Sequence, residues 1–414
     1  MRPWPVMEPP APTSRQFVKP RLFEARVALL FSAIFVSVGF HLPYFPLWLA
    51  SQGLDANQIA IVLSAPLFLR LLTTPLVTML ADRVPERADL LLGMVAMTAL
   101  LSLGYLLPLS YALIVALSVV LHVFWTPHGP LVDSIALSGV RRFGVDYTRI
   151  RTWGSVAFVS ANFSGGFIIA WWSAGAVPYV ISGALLLACG VCLFAPRLGR
   201  PRRDSPLSAA ALRGAPSILT RNFIVFIAAA GIINSSHGLL FSFGTIFWRD
   251  VGIDERTIGF LWSFMVFAEI GMMVVFQRLF GRFSAPRLLL IAGAGAVVRW
   301  VTFPLIEPLG LGVAGYFVVQ SLHAFSTVFV MLSVPKMISE TIDEDRMGAA
   351  QGATFFAHGL AMAIVMLASG PIYGSLGGTG FYLMAGVACI GASLLLTLSP
   401  RDRETAATRE SRDR

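Results

Sequence analysis

The chain has 414 residues, of which 56% are hydrophobic and 13% charged, and its mean hydropathy is +0.74. A soluble domain of this size needs more polar surface, and the lack of strand alternation argues against a membrane β-barrel. The net charge of +9 does not point to nucleic acid, because the basic residues sit in short loops between apolar runs.

The chain opens on a polar, proline-rich stretch, residues 1–24, read as a disordered tail and not as a signal peptide. Apolar stretches of about 20 residues then recur, each long enough to cross a hydrocarbon layer of about 30 Å at about 1.5 Å per residue. Twelve spans are predicted, near 25–48, 56–80, 88–107, 111–138, 150–172, 176–195, 222–248, 257–277, 288–306, 310–334, 348–369 and 377–398. The fold class expected is an all-α membrane protein with twelve transmembrane helices in two pseudo-symmetric six-helix halves. The halves are 25–195 and 222–398, joined by a basic linker over 196–221 and followed by a tail over 399–414.

Sidedness follows from lysine and arginine. The first tail and helix edge, the linker and the last tail are basic, whereas the opposite loops carry only Arg249 and Arg256, beside Asp250, Asp254 and Glu255. Both termini are expected in the cytoplasm, the membrane being the inner (plasma) membrane. Of 31 basic residues only Lys19 and Lys336 are lysines, a bias that fits a GC-rich bacterial genome. The pair Cys189 and Cys192 lies in "LLLACGVCLF" and reads as helix filling.

The halves resemble each other. "GLDANQIAI" (53–61) aligns with "GIDERTIGF" (252–260), each opening the second span of its half, and the same offset sets Arg70 opposite Glu269. Such similarity suggests internal duplication.

Five ionisable groups fall within or at the edge of spans: Arg70, Asp133, Arg151, Glu269 and Arg299. A charge at the bilayer centre costs about 2.5–3.5 kcal/mol on insertion scales. These groups therefore need partners or a cavity. One reading is structural, with buried ion pairs locking helices together. The other is a polar pathway, because burying charges gains little over apolar packing, and the surplus arginine suits a carboxylate substrate. Asp133 and Arg151 lie near the ends of adjacent spans and can pair. "WTPHGP" (125–130) is expected to kink span four. All six histidines lie in spans. His122 and His358 read as neutral contacts, and His323, central in span ten, is the best proton-relay candidate. Tryptophans 48, 153, 248, 262 and 300 read as anchors or packing, and 339–346 as a solvated loop.

The loop "MLADRVPER" (79–87) resembles the signature of the major facilitator superfamily, although Thr78 and Pro85 stand where its glycines are usual. With "LPYFPLWLASQGL" (42–54), "DYTRIRTWGSVAFV" (146–159), "SSHGLLFSFGTIFW" (235–248), "IGFLWSFMVFAEI" (258–270) and "AGAVVRW" (294–300), the chain resembles the branch containing lactose permease and, closer, the 3-phenylpropionate-type transporters. The resemblance to the sugar carrier implies substrate contacts at Asp133 and Arg151, a dual role for Glu269, and matches for its helix-nine arginine and helix-ten histidine at Arg299 and His323. Two positions depart. Ser326 replaces the carboxylate that carries the proton there, and Phe158 replaces the tryptophan that stacks on the sugar.

The expectation is a secondary active transporter, coupled to protons and importing a small organic solute such as an aromatic carboxylate by alternating access. Arg70, Asp133, Arg151, Phe158 and Arg299 form the substrate-binding set, and Glu269 with His323 the proton-coupling set. Sugar or nucleoside symport and antiport (export) are the alternatives. No enzyme motif of the H-E-x-x-H, G-x-S-x-G or P-loop kind occurs, and the longest loop leaves no room for a signalling domain. The expected partners are the substrate, protons and the lipid bilayer. No cofactor, metal or nucleic acid is expected, and the chain is expected to be monomeric.

Overall fold

The structure, a computed structural model, describes residues 18–81, 83–199, 218–343 and 346–398. Residues 1–17 and 399–414 of the two tails, 200–217 of the linker, Asp82 of the 79–87 loop and 344–345 of the 339–346 run lie outside the described residues.

Among the described residues, eleven continuous helical stretches are long and apolar enough to cross a membrane, and the last, Met347–Thr397, runs 51 residues. That is more than twice the length one crossing needs, and it turns back through a short 3₁₀ segment at Gly377–Gly380. The crossings are α1 (Phe23–Ser51), α2 (Ala56–Ala81), α3 (Arg87–Leu106), α4 (Tyr111–Phe143), α5 (Tyr147–Trp172), α6 (Ala174–Cys192), α7 (Arg221–Asp250), α8 (Glu255–Phe280), α9 (Ala285–Leu305) and α10 (Gly312–Thr341). They end with α11 (Met347–Leu376) and α12 (Phe381–Leu394).

Local chemistry sets the ends. Asp146 caps α5 by accepting from the Arg149 amide at 3.2 Å, Thr220 caps α7 by accepting from Phe223 at 3.3 Å, and Asp254 caps α8 through the amides of Arg256 and Thr257. The repeat appears in the backbone. Gly53 and Gly252 both take positive φ, 80° and 85°, where a side chain is strained. Their amides donate to Ala50 and Arg249 at 3.0 Å each, and the next amides, Leu54 and Ile253, reach Leu49 and Trp248.

Three crossings are interrupted. The predicted kink in α4 is present: one helix ends at Trp125 and the next begins at His128, because Pro127 and Pro130 cannot donate into the ladder. α7 breaks between Ser235 and Gly238, and α10 between Ser321 and His323.

The halves meet along α5 with α8 and α2 with α11, most closely at the end remote from the linker. A Cβ added to Gly166 would stand 2.4 Å from the Glu255 carbonyl oxygen, and one on Gly370 would stand 2.9 Å from that of Ala56. The Ser263 hydroxyl of α8 reaches the Val159 carbonyl of α5 at 3.3 Å. Of the tryptophans, 48, 248, 262 and 300 are buried packing residues, and Trp153 is exposed.

Candidate functional site

A cavity of about 480 Å³ opens between the halves, lined by residues of α1, α2, α4, α7 and α11. Most of the lining is apolar or aromatic, including Phe35, Trp125, Phe241, Met362 and Met366. Its polar groups are Arg70, Thr126, Asn234 and four histidines, 41, 122, 128 and 358. The α4 break contributes Trp125 and Thr126, and the α7 break contributes Asn234.

Arg70 has no hydrogen bond or ion pair among the described residues. Its guanidinium carbon lies 5.2 Å from the Phe355 ring centroid, and its Nε is buried without a partner. Near it, His41 stacks on Phe45 at 4.5 Å and meets Trp125 edge-on at 4.8 Å, while His122 stacks on Trp125 at 5.5 Å. His122 Nδ1 donates to the Ser118 carbonyl at 2.8 Å, so a neutral ring holds its proton there and keeps Nε2 as an acceptor. The Nε2 atoms of His41 and His358 are buried without hydrogen-bond partners among the described residues. An aromatic, weakly polar box around an unopposed cation suits a flat anion.

The C-terminal half holds a second arrangement. Arg299 is fully buried. Its Nη1 donates to His323 Nδ1 at 2.6 Å, its Nη2 donates to Gln320 Oε1, and its guanidinium stacks on Trp300 at 4.5 Å. A guanidinium has no acceptor, so His323 Nδ1 must offer its lone pair. The imidazole is therefore neutral with its proton on Nε2. That nitrogen faces Glu269 Oε1 at 2.8 Å and donates to it. The Thr327 hydroxyl lies 3.1 Å from the same nitrogen. Glu269, half-buried, is the more accessible end of this chain, its side chain being 19% exposed against 4% for His323.

Behind His323, His237 donates from Nδ1 to the Asn234 carbonyl at 2.9 Å and meets the Ser326 hydroxyl through Nε2 at 2.9 Å. The Trp300 indole N–H donates to the Ser236 hydroxyl at 2.9 Å.

The expected site residues are thus divided. Glu269, Arg299 and His323 come together in one chain, and Arg70 lines the cavity alone. Asp133 and Arg151 form no ion pair among the described residues. The Tyr147 hydroxyl donates to Asp133 Oδ1 at 2.8 Å, and Arg151 lies over Phe35 and Phe31 at 4.2 and 5.3 Å. Phe35 itself lines the cavity, so Arg151 sits one ring away from it. Phe158 is half-buried, with its backbone against Gly39 of α1; it is not among the cavity-lining residues, nor are Arg299, Glu269 or His323. The sequence reading missed Tyr147, Gln320 and the part played by His237. Only "NSSHG" (234–238), with its serines and glycine, signalled a weak point in a helix.

A family model described as the MFS_1 like family matches residues 25–384. A protein of Escherichia coli (strain K12) described as "probable 3-phenylpropionic acid transporter" is 28% identical over 368 residues, 87% of this chain and 94% of that one. A maltose permease of Geobacillus stearothermophilus is 30% identical over 290 residues, 68% of this chain and 71% of its own. Among solved structures, a nucleoside transporter superposes with a TM-score of 0.78 at 14% identity, covering 91% of this chain and 98% of its own. A D-xylose-proton symporter gives 0.71 at 12% identity, covering 93% and 99%. At those identities the structures speak for the fold alone. With the twelve crossings and the cavity between two halves, these matches establish that the chain belongs to the MFS_1 like family and is a multi-pass membrane transporter of the major facilitator type, not an enzyme.

Proposed function

We propose that the chain is a proton-coupled importer of a small organic anion, an aromatic carboxylate of the 3-phenylpropionate kind. The observation that carries this reading is Arg70. Among the described residues it is a cation without hydrogen bond or ion pair, in an aromatic-lined cavity between the halves. A carboxylate would take its guanidinium as a bidentate partner, with the ring beside Trp125, His41 and Phe35. Arg151, held by Phe35, adds positive potential, and Asp133 orients that region through Tyr147. Phe158 supports α5 against α1. Arg299 holds His323 in the tautomer that donates to Glu269, and Glu269 takes and releases the proton. Its protonation removes the acceptor charge that orders the chain, so the two conformations would differ in proton affinity, which coupling requires.

The two halves, 25–195 and 222–398, would rock about this midplane site. In the inner membrane with both termini cytoplasmic, the tight contacts at Gly166 and Gly370 would close the outer end and leave the cavity facing inward. A monomer suffices for this cycle.

Melting of the purified protein in detergent tests the substrate class. The panel would hold 3-phenylpropionate, short organic acids, maltose and uridine at pH 5.5 and 7.5. A ligand of the folded state raises the melting temperature by mass action. A shift with 3-phenylpropionate that disappears in Arg70→Gln is expected. A shift confined to maltose or uridine would overturn the anion reading.

A further inference from the structure

The cavity and the Arg299–His323–Glu269 chain share no residue, yet a coupled carrier must connect them. The connection has a structural candidate in the break of α7. Asn234 and Phe241 both line the cavity. Both also touch His237: the Asn234 carbonyl accepts its Nδ1 proton at 2.9 Å, and the Phe241 ring stacks on it at 5.9 Å. On its other side His237 meets the Ser326 hydroxyl at 2.9 Å and the His323 ring, edge-on, at 5.0 Å. His237 is 1% exposed. The titratable and charged groups facing it are Arg299 of α9 and His323 of α10, with Glu269 of α8 beyond His323.

We propose that His237 is a positioning residue that couples occupancy of the cavity to the Arg299–His323–Glu269 chain. The proposal rests on the proton-coupled reading above. The hydrogen bonds explain how it would act. A carbonyl only accepts, so the proton of His237 is fixed on Nδ1 and Nε2 offers a lone pair. The Ser326 hydroxyl then donates to Nε2. That hydroxyl has one proton and a second acceptor within reach, the carbonyl of His323 at 3.2 Å. Displacing Asn234 or Phe241 moves His237, breaks the Ser326 contact, and turns the hydroxyl to the His323 backbone. The first turn of the second α10 helix, which carries His323, is thereby re-aimed toward or away from Glu269. Backbone freedom for such a shift exists because α7 and α10 are both interrupted at these residues.

The test has two arms. In the first, no ligand is present. The whole protein is labelled with ¹⁵N-histidine, and its ring-nitrogen signals are compared between wild type and Glu269→Gln, with the His237 signal assigned by its loss in His237→Asn. The expected result is a displaced His237 signal while that of His128, in the other half, stays in place. An unmoved His237 signal overturns the proposal whatever the substrate is. In the second arm, purified protein in lipid vesicles is given 3-phenylpropionate. His237→Asn keeps the Nδ1-type donor and loses the reach to Ser326. It should lose accumulation driven by a pH gradient by about tenfold, within the usual range of coupling between sites, while exchange of 3-phenylpropionate continues. His237→Gln, which reaches Ser326, should recover accumulation. Wild-type accumulation in His237→Asn overturns the coupling role, and equal loss of exchange, accumulation and thermal stability shows a merely structural one. If wild type neither binds nor moves 3-phenylpropionate, the substrate reading fails and the first arm alone decides the coupling.

Discussion

Arg70 and Arg299 lie in opposite halves of one pseudo-symmetric fold, and their surroundings differ. Both Nη atoms of Arg299 are engaged, by His323 and Gln320, and its face is covered by Trp300, while its Nε, like that of Arg70, is buried with no hydrogen-bond partner among the described residues. Arg70 has a phenylalanine ring beside it and a cavity in front. A buried charge keeps its place when most of its donors are met. An unmet one is a cost carried by the folded protein, and such costs concentrate where a ligand completes the site. The contrast teaches that two intramembrane arginines can be held in opposite ways, one by polar neighbours and one facing a cavity; in the proposed function the first orders the proton chain and the second takes the anion.

That contrast can be broken by treating both residues alike. Arg299→Met strands the Gln320 oxygen and His323 Nδ1 in a dry region. A loss of about 3–5 kcal/mol is expected, as for other buried partners removed singly, seen as a large fall in melting temperature in detergent. Arg70→Met strands nothing, so its melting temperature should equal or exceed that of wild type. The same variant should weaken 3-phenylpropionate binding by about 2–5 kcal/mol, the cost of truncating one member of a desolvated charge pair, measured by titration calorimetry. If both variants melt alike, the division between the two arginines is wrong.

Smaller changes sharpen it. Gln320→Leu removes one acceptor of Arg299 and should cost about 1–3 kcal/mol, with thermal stability as the readout. Tyr147→Phe removes the donor to Asp133 and leaves it near Arg151; a loss of about 1 kcal/mol or less is expected, with little change in Arg70-dependent binding. The smallest effect lies far from both sites. The Thr257 hydroxyl and the amides of Thr257 and Arg256 hold the Asp254 carboxyl below its ordinary range. A depressed folded value stabilises above the unfolded value and is lost as pH falls through the folded one. Asp254→Ala should therefore cost about 1 kcal/mol near neutrality, and its melting difference from wild type should shrink in acid.

Many of these features are legible in the amino-acid sequence. Long apolar runs count crossings directly, because length in a bilayer is set by its thickness. Pro127 and Pro130, set close together with Gly129, announce the α4 kink, whereas Pro66 and Pro75 of α2 and Pro371 of α11 lie within uninterrupted helices. Carboxylates and arginines in apolar runs single out Glu269, Arg299 and Arg70 by cost alone. Uncharged polar residues carry no such mark. Gln320 and Tyr147 look ordinary in sequence, and their importance comes from which helix face meets which neighbour. The α10 break at Leu322 has no proline or glycine to signal it. Asp133 and Arg151 stand at the right separation for a pair, but separation along the chain does not fix where side chains point, and Tyr147 and Phe35 take the two partners apart.

The central claim is that proton and anion move together through Glu269 and Arg70. The most direct measurement follows pH outside vesicles holding the purified protein after 3-phenylpropionate is added without a pre-set gradient. The external medium should become more alkaline in wild type as protons enter with the anion, and Glu269→Gln should abolish that change while exchange of 3-phenylpropionate persists. Uptake of 3-phenylpropionate by wild type with no movement of protons would contradict the account.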